Sequence, residues 1–323
     1  SAAGRSVGLI ARGPHLETIR ANGLKVVGDT EFEGRLPAES DAASLPIGPD
    51  TVVLLTMKSN DTAGALDSVG SAYDGLPIFC IQNGVANEDL VAARGLRAYG
   101  CRVVLGGRIL EPGVVAHTGS GILTIGCWPS GVDKVCRGFS ADIESAGLEA
   151  PLHERVRAAK WGKLLANVNN AYLALTNTSL QASRKFEAHR FFLADVQEEA
   201  VRVLQAAGIA ADVGRSSTIE QQIAKLRVPG DWDRVEIPTD PDKLVWPSTW
   251  QDLQFRRGRV EVAYFNGEVV RLARSLSLRA PLNEVLWHRC EDAAAKRLLP
   301  GSETTTSLRA AAASLTSATD AKT

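Results

Sequence analysis

Three polar side chains recur on one side of the otherwise apolar segment AAKWGKLLANVNNAYLALTN, Ala158 to Asn177. At about 3.6 residues per helical turn, Lys163, Asn167 and Asn170 stand at i, i+4 and i+7, so an ammonium and two amides share a direction. A cation and two amides gathered on one face make a site-like arrangement. Trp161, Leu165, Val168 and Tyr172, at i, i+4, i+7 and i+11, make a burying stripe on another side. The solvated flank of an amphipathic helix would show the same polar spacing, so spacing leaves both readings open.

The first half of the chain adds three candidates. Apolar runs at Val7 to Ala11, Thr51 to Met57 and Leu76 to Gln82 read as buried strands, and they end at Arg12, Lys58 and Asn83. Helical segments at Pro14 to Ala21, Asp61 to Val69 and Asn87 to Arg94 alternate with them, and Leu24 to Glu33 reads as a strand or hairpin turning at Gly28-Asp29. Alternation of this kind predicts a parallel, doubly wound sheet, in which ligands collect at the carboxyl ends of the strands. Singly, Lys58 fits a snorkelling surface lysine and Asn83 the first half of an Asn-Gly turn. Three polar residues at three strand ends favour a ligand crevice.

Beyond this, Arg102 to Gly126 is punctuated by glycine and reads as antiparallel hairpins closing the sheet at its edge, followed by a helix from Gly131 to Ala146. Strand signals then fade. Helices are expected at Phe192 to Ala207, Ser217 to Leu226, Trp250 to Ser277 and Leu282 to Leu298, with a polar loop at Pro229 to Pro247 carrying exposed Trp232 and Trp246. The predicted domains are residues 1–150, 151–300 and a disordered, Ser/Thr/Ala-rich tail, 301–323.

Composition narrows the function. With 36 basic and 37 acidic residues among 323, the net charge is -1, which gives no broad positive field for nucleic acid or an anionic membrane surface. No run approaches the roughly 18 apolar residues of a membrane span. Cys80, Cys101, Cys127, Cys136 and Cys290 are scattered without metal-ligand spacing, so they read as reduced thiols of a cytoplasmic protein with no metal. A small-molecule partner is expected, and a homodimer is left open.

In order along the chain, LIARGPHLETIRANGL, LLTMK, IQNGV, EPGVVAHTGSG, KWGKLLANVNN and PSTWQDL followed by EVAYFNG resemble the ketopantoate reductase (2-dehydropantoate 2-reductase) family, from Ser1 to about Leu299. The resemblance implies an α/β fold: a Rossmann-like doubly wound sheet, then an all-helical C-terminal domain. It also implies NADPH as hydride donor and a 2-oxo acid as substrate. Lys163 matches the family's general acid and Asn167 a substrate-binding amide. Thr249, with Ser248 beside it, falls where the family has a substrate-gripping hydroxyl, and Glu261 is implied to face cofactor and substrate from the last long helix. Arg12 matches the residue that holds the 2'-phosphate of NADP, and Lys58 and Asn83 match positions near the nicotinamide and the substrate carboxylate. From the residues alone, Ser248 or Thr249 equally reads as an N-cap, Glu261 as a surface carboxylate paired with Arg257, and Asp252 as a capping contact.

The sequence departs from the family pattern in three places. Ala171 stands where a second substrate amide is common, and Asn170 would replace it only on a rotated helix. The loop from Pro229 to Pro247 is longer than the pattern needs, which leaves another branched or aromatic 2-oxo acid open. The family's first strand and its G-x-G-x-x-G phosphate turn have no counterpart in the sequence as given. Without them, two strand edges are expected to be exposed and the sequence as given to bind NADPH poorly or not at all, whereas a full-length parent that carries them should bind it; a non-catalytic, nucleotide-sensing remnant stands as a reading of another class. The reductase reading depends on Lys163 converging with the crevice at the strand ends.

Overall fold

The computed structural model describes residues 3–214, 217–230 and 232–320. The chain divides into two compact units. One holds the chain through Asn83 together with Asn87–Arg157, and the other holds Gly84–Ala86 and the chain from Ala158 onward.

The first unit is mixed α/β. Its elements are β1 (Leu9–Ile10), α1 (Gly13–Asn22), β2 (Leu24–Gly28), β3 (Phe32–Gly34), β4 (Ala38–Glu39), β5 (Val53–Leu55), α2 (Thr62–Val69), β6 (Pro77–Cys80), α3 (Asn87–Ala92), β7 (Arg97–Glu111), β8 (Val114–Cys127) and α4 (Lys134–Ser145). Six strands form one sheet in the order β3-β2-β8-β7-β6-β5, while β1 and β4 pair in parallel as a separate sheet. β6 is the strand covered on both faces: Ile78, Phe79 and Cys80 are fully buried. Period-two alternation sends Phe79 to the side of Phe139 on α4 and Ile78 and Cys80 to the side of Leu66 on α2.

Two expectations are corrected here. The β7–β8 hairpin lies in the middle of the sheet and not at its edge, because β8 leaves the turn at Val114 opposite Lys25 and runs parallel to β2 as far as Gly28. Gly113, with φ +80°, makes that turn, and a Cβ there would come within 2.6 Å of Thr18. The strands β1 and β5 are also shorter than the apolar runs that contain them, and neither is covered on both faces. Leu9 packs with α1 and Leu55 with α2, whereas Ile10 and Leu54 point the other way and are exposed.

From α5 onward the chain is helical: α5 (Val156–Asn167), α6 (Asn170–Leu175), α7 (Leu180–Lys185), α8 (Glu187–Ala206), α9 (Ile219–Leu226), α10 (Ser248–Gln254), α11 (Asn266–Ser275), α12 (Pro281–Ala295) and α13 (Thr305–Asp320). Trp161, Leu165, Val168 and Tyr172 are all buried in one core with Phe192, Leu286 and Leu308. The tail expected to be disordered is the helix α13, apart from residues 321–323, which lie outside the described residues. Alanine-rich sequence favours helix, Thr304 Oγ1 accepts from the Ser307 N–H at 3.1 Å, and Leu308 and Ala312 are buried one turn apart. The expected helix from Trp250 to Ser277 is likewise broken: Arg256 and Gly258 take φ +49° and +75° after α10, and α11 begins only at Asn266. Trp232 and Trp246 are half-buried. Trp232 Nε1 donates to the Lys225 carbonyl at 2.9 Å, and Trp246 stacks on Trp250 with ring centroids 4.1 Å apart.

Asp133 caps α4 by accepting from the Cys136 N–H at 2.9 Å, and it accepts from the Tyr99 hydroxyl at 2.8 Å. Burial pushes its carboxyl up, but the bonds from Cys136 and Tyr99 outweigh that and hold it below its ordinary value. The cap is therefore intact above the unfolded carboxyl value, about 3.9, and is lost as pH falls through the lower folded value. Asp133→Ala is expected to cost about 1 kcal/mol at neutral pH in urea unfolding. The gap between the two proteins should close in strong acid; a gap that persists there would show that the carboxylate is not the cap.

Candidate active site

In the first unit the structure joins two of the three strand-end candidates. Lys58, half-buried, is the last residue before a 3-10 turn at Ser59–Asp61, and Asn83, also half-buried, follows β6. The Ser59 hydroxyl donates to the Asn83 carbonyl at 3.2 Å, which ties the segment after β5 to the segment after β6. Arg12 stands apart, exposed, with extended backbone (φ −141°, ψ 156°), at the start of α1. The first turn of α1 has no side-chain cap and no acidic residue.

In the second unit Lys163 and Asn167, both half-buried, lie one turn apart on α5, which places their Cβ atoms about 6 Å apart. The helix then stops. Val168 and Asn169 separate α5 from α6, so the apolar segment is two helices and not one. The local sequence invites this, since Asn167, Asn169 and Asn170 flank a β-branched valine and asparagine competes with helix for its own backbone. Two buried amides take carbonyls at the break: Gln197 Nε2 donates to Leu165 O at 2.8 Å and Asn266 Nδ2 to Val168 O at 2.9 Å. Gly162 lets the chain pass closely, because a Cβ there would lie 2.0 Å from the Asp212 carbonyl oxygen.

The remaining candidates also lie in the helical unit. Ser248 and Thr249 begin α10, which packs on α6; Ser248 is exposed and Thr249 buried. Neither is the N-cap, a position that Pro247 takes without a side-chain bond. Glu261 is buried and precedes a 3-10 turn at Val262–Tyr264, so it sits in the interruption between α10 and α11 and not on a long helix. Arg257 pairs with Asp252 at 2.8 Å in place of the expected partner Glu261.

Comparison with known proteins decides the family. Models described as "Ketopantoate reductase PanE/ApbA" and "Ketopantoate reductase PanE/ApbA C terminal" match residues 1–130 and 155–292. The 2-dehydropantoate 2-reductase of Pyrococcus abyssi is 31% identical over 289 residues, covering 88% of this chain and 89% of that one. The chain belongs to the ketopantoate reductase family. A PanE/ApbA family ketopantoate reductase from Ralstonia eutropha superposes with a TM-score of 0.76 at 27% identity, over 91% of this chain and 92% of that one. D-mandelate dehydrogenase, solved with NADH and anilino(oxo)acetate, shares the fold at 19% identity, with a TM-score of 0.76 over 91% and 93% of the two chains.

Several residues that shape this ketopantoate reductase family member escaped the sequence reading. Asn266 Nδ2 also donates to Asn283 Oδ1 at 3.0 Å, and the N–H groups of Leu282 and Asn283 at the start of α12 donate to Glu199 at 3.1 and 2.8 Å. Burial raises the Glu199 carboxyl against the pull of those donors. Asn266 lies in the quoted EVAYFNG stretch, but nothing in its spacing marks it as a clamp. Asn169 is buried at the break with its Oδ1 lacking a hydrogen-bond partner. Ala171 is core, fully buried, so the register of the α5 face does not continue into α6.

A thiol pair was also missed. Cys127 Sγ and Cys136 Sγ lie 3.6 Å apart, and with Asp133 they are the one group of metal-ligand type among the described residues. Both Asp133 oxygens already accept hydrogen bonds, which favours capping over coordination.

Asn266→Ala would leave the Val168 carbonyl and Asn283 Oδ1 buried without this donor. The expected loss is roughly 2–6 kcal/mol in urea unfolding, at about 1–3 kcal/mol for each of the two orphaned acceptors. A loss below about 1 kcal/mol would mean that the break is held by something else.

Proposed function

We propose that the protein is a cytoplasmic 2-dehydropantoate 2-reductase, converting a 2-oxo acid to its 2-hydroxy acid. The observation that carries this reading is the placement of Lys163 and Asn167 one turn apart at the clamped end of α5, in a chain whose family membership is established. NADPH, when bound, supplies the hydride.

The chain's own residues supply the rest. Lys163 gives its proton to the substrate oxygen as that oxygen gains negative charge, which removes the need to build a free alkoxide. Asn167 and Asn83 offer amide N–H groups, and Thr249 and Ser248 hydroxyls, to orient the carboxylate and the hydroxyl of the substrate. Neither Asn83 nor Asn167 has a hydrogen bond to its side-chain amide among the described residues, so that capacity is open to a ligand. Glu261, desolvated in the helical unit, and Lys58 complete the groups assigned to cofactor and substrate. Arg12 fits the 2'-phosphate of NADP, because an exposed guanidinium at an uncapped helix start whose first turn holds no acidic residue is a donor set for a phosphate.

A second reading keeps the chemistry and changes the acid. Trp246 stacks on Trp250, next to Thr249, and an aromatic pair at that point would suit a bulkier 2-oxo acid. Comparing turnover of 2-dehydropantoate with that of branched and aromatic 2-oxo acids separates the two.

Lys163→Ala is expected to lower kcat about 10²- to 10⁴-fold with NADPH and 2-dehydropantoate. Arg12→Ala should raise KM for NADPH and leave KM for NADH unchanged. Turnover of the lysine variant at the parent rate would remove the proposed proton donor, and inertness of the parent toward every 2-oxo acid would remove the function.

A further inference from the structure

The segments carrying Lys58 and Asn83 are joined by more than one bond. Asn87, the first residue of α3 and fully buried, donates through Nδ2 to the Asn83 carbonyl at 3.0 Å and to Ser59 Oγ at 3.1 Å. Its Oδ1 accepts from the Thr62 hydroxyl at 2.9 Å, and Thr62 Oγ1 accepts from Gln82 Nε2 at 2.7 Å. Ser59, Thr62 and Gln82 are buried as well. One asparagine therefore gathers the residue after Lys58, the first residue of α2, the carbonyl of Asn83 and, through Thr62, the residue before Asn83.

This arrangement answers a local weakness. Asn83 precedes Gly84, which has φ +83°, and glycine in that region leaves the Asn83–Gly84 peptide with little resistance to rotation. Two donors on the Asn83 carbonyl, from Ser59 and Asn87, fix the plane of that peptide and with it the direction of the Asn83 side chain. In a buried network each group has few alternative partners, so slipping one bond strands another. An apolar plug of the same size would fill the space without specifying any orientation.

We infer that Asn87 is a positioning residue of the active site, setting the Asn83 amide relative to Lys58, with Thr62 orienting Asn87 in turn. The inference rests on the proposal that Asn83 takes part in substrate or cofactor binding. Asn87 touches neither ligand in this scheme and acts through the Asn83 peptide.

A double-mutant cycle on kcat/KM for 2-dehydropantoate and NADPH tests it, run on folded protein below the melting range of every variant. Asn87→Ala is expected to lower kcat/KM about 10- to 100-fold, the scale of an ångström-sized misplacement. In an Asn83→Ala background the same change should cost less than about 3-fold, because its target is already gone. Thr62→Ser, which keeps the hydroxyl, should stay within about 3-fold of the parent, whereas Thr62→Val should follow Asn87→Ala. The Thr62 pair decides the matter if Asn87→Ala does not fold. Full multiplication of the two losses in the double variant, or equal rates for Thr62→Ser and Thr62→Val, would overturn the positioning role alone. Parent-like kcat/KM for Asn83→Ala would instead remove the assignment of Asn83 to the site, and this inference with it.

Discussion

A helix that stops inside a hydrophobic core leaves carbonyl oxygens that only other buried polar groups can satisfy, and the helical unit is built around one such stop. Leu165 O and Val168 O are met by Gln197 of α8 and Asn266 of α11. Asn266 leans on Asn283, and Asn283 leans on Glu199, whose carboxylate also receives the backbone of α12. Four helices thus share one connected set of buried bonds, and the end of α5, where Lys163 and Asn167 stand, is held by side chains of two of them. Removing a partner from such a set costs more than the bond itself contributes, because the acceptor left behind has no water to turn to.

The α/β unit solves a comparable problem differently. β5 and β6 are short, and Lys58 and Asn83 lie just beyond their ends, where the ladder no longer constrains the backbone. Buried hydroxyls and amides continue that constraint for a few residues past the sheet. In both units a group proposed to meet a ligand is carried by backbone whose carbonyls are bonded to buried side chains, so its direction is inherited from the core and not from the surface.

Much of this was legible in the sequence where periodicity controlled the outcome. The stripe Trp161, Leu165, Val168 and Tyr172 is buried as its spacing requires, because a hydrophobic face has no other place to go. The β6 run is covered on both faces, as an unbroken apolar run should be. Periodicity says nothing about where a helix is cut by bonds from distant residues. The stop at Val168–Asn169 depends on Gln197 and Asn266, the latter about a hundred residues downstream. For the same reason Glu261 was placed on a continuous helix that in fact ends at Gln254. The tail was misread from composition: Ser, Thr and Ala suggested disorder, while Leu308 and Ala312, spaced for one helical face, found a core beside α12 and α8. Strand order was beyond local reading too, since the parallel pairing of β8 with β2 joins residues about ninety positions apart.

The choice of amides over charges at both clamps bears on the chemistry. A carboxylate beside Val168 or Asn83 could not donate to a carbonyl, and a lysine there would bring a full charge into the interior at a desolvation cost of several kcal/mol. It would also impose a strong, long-reaching field near groups whose protonation the proposed reaction depends on. Uncharged amides fix geometry while adding only a short-range dipole. The buried charge in the helical network, Glu199, is met by the backbone N–H groups of Leu282 and Asn283 and the Asn283 amide. Positioning and charge are in this way assigned to different residues.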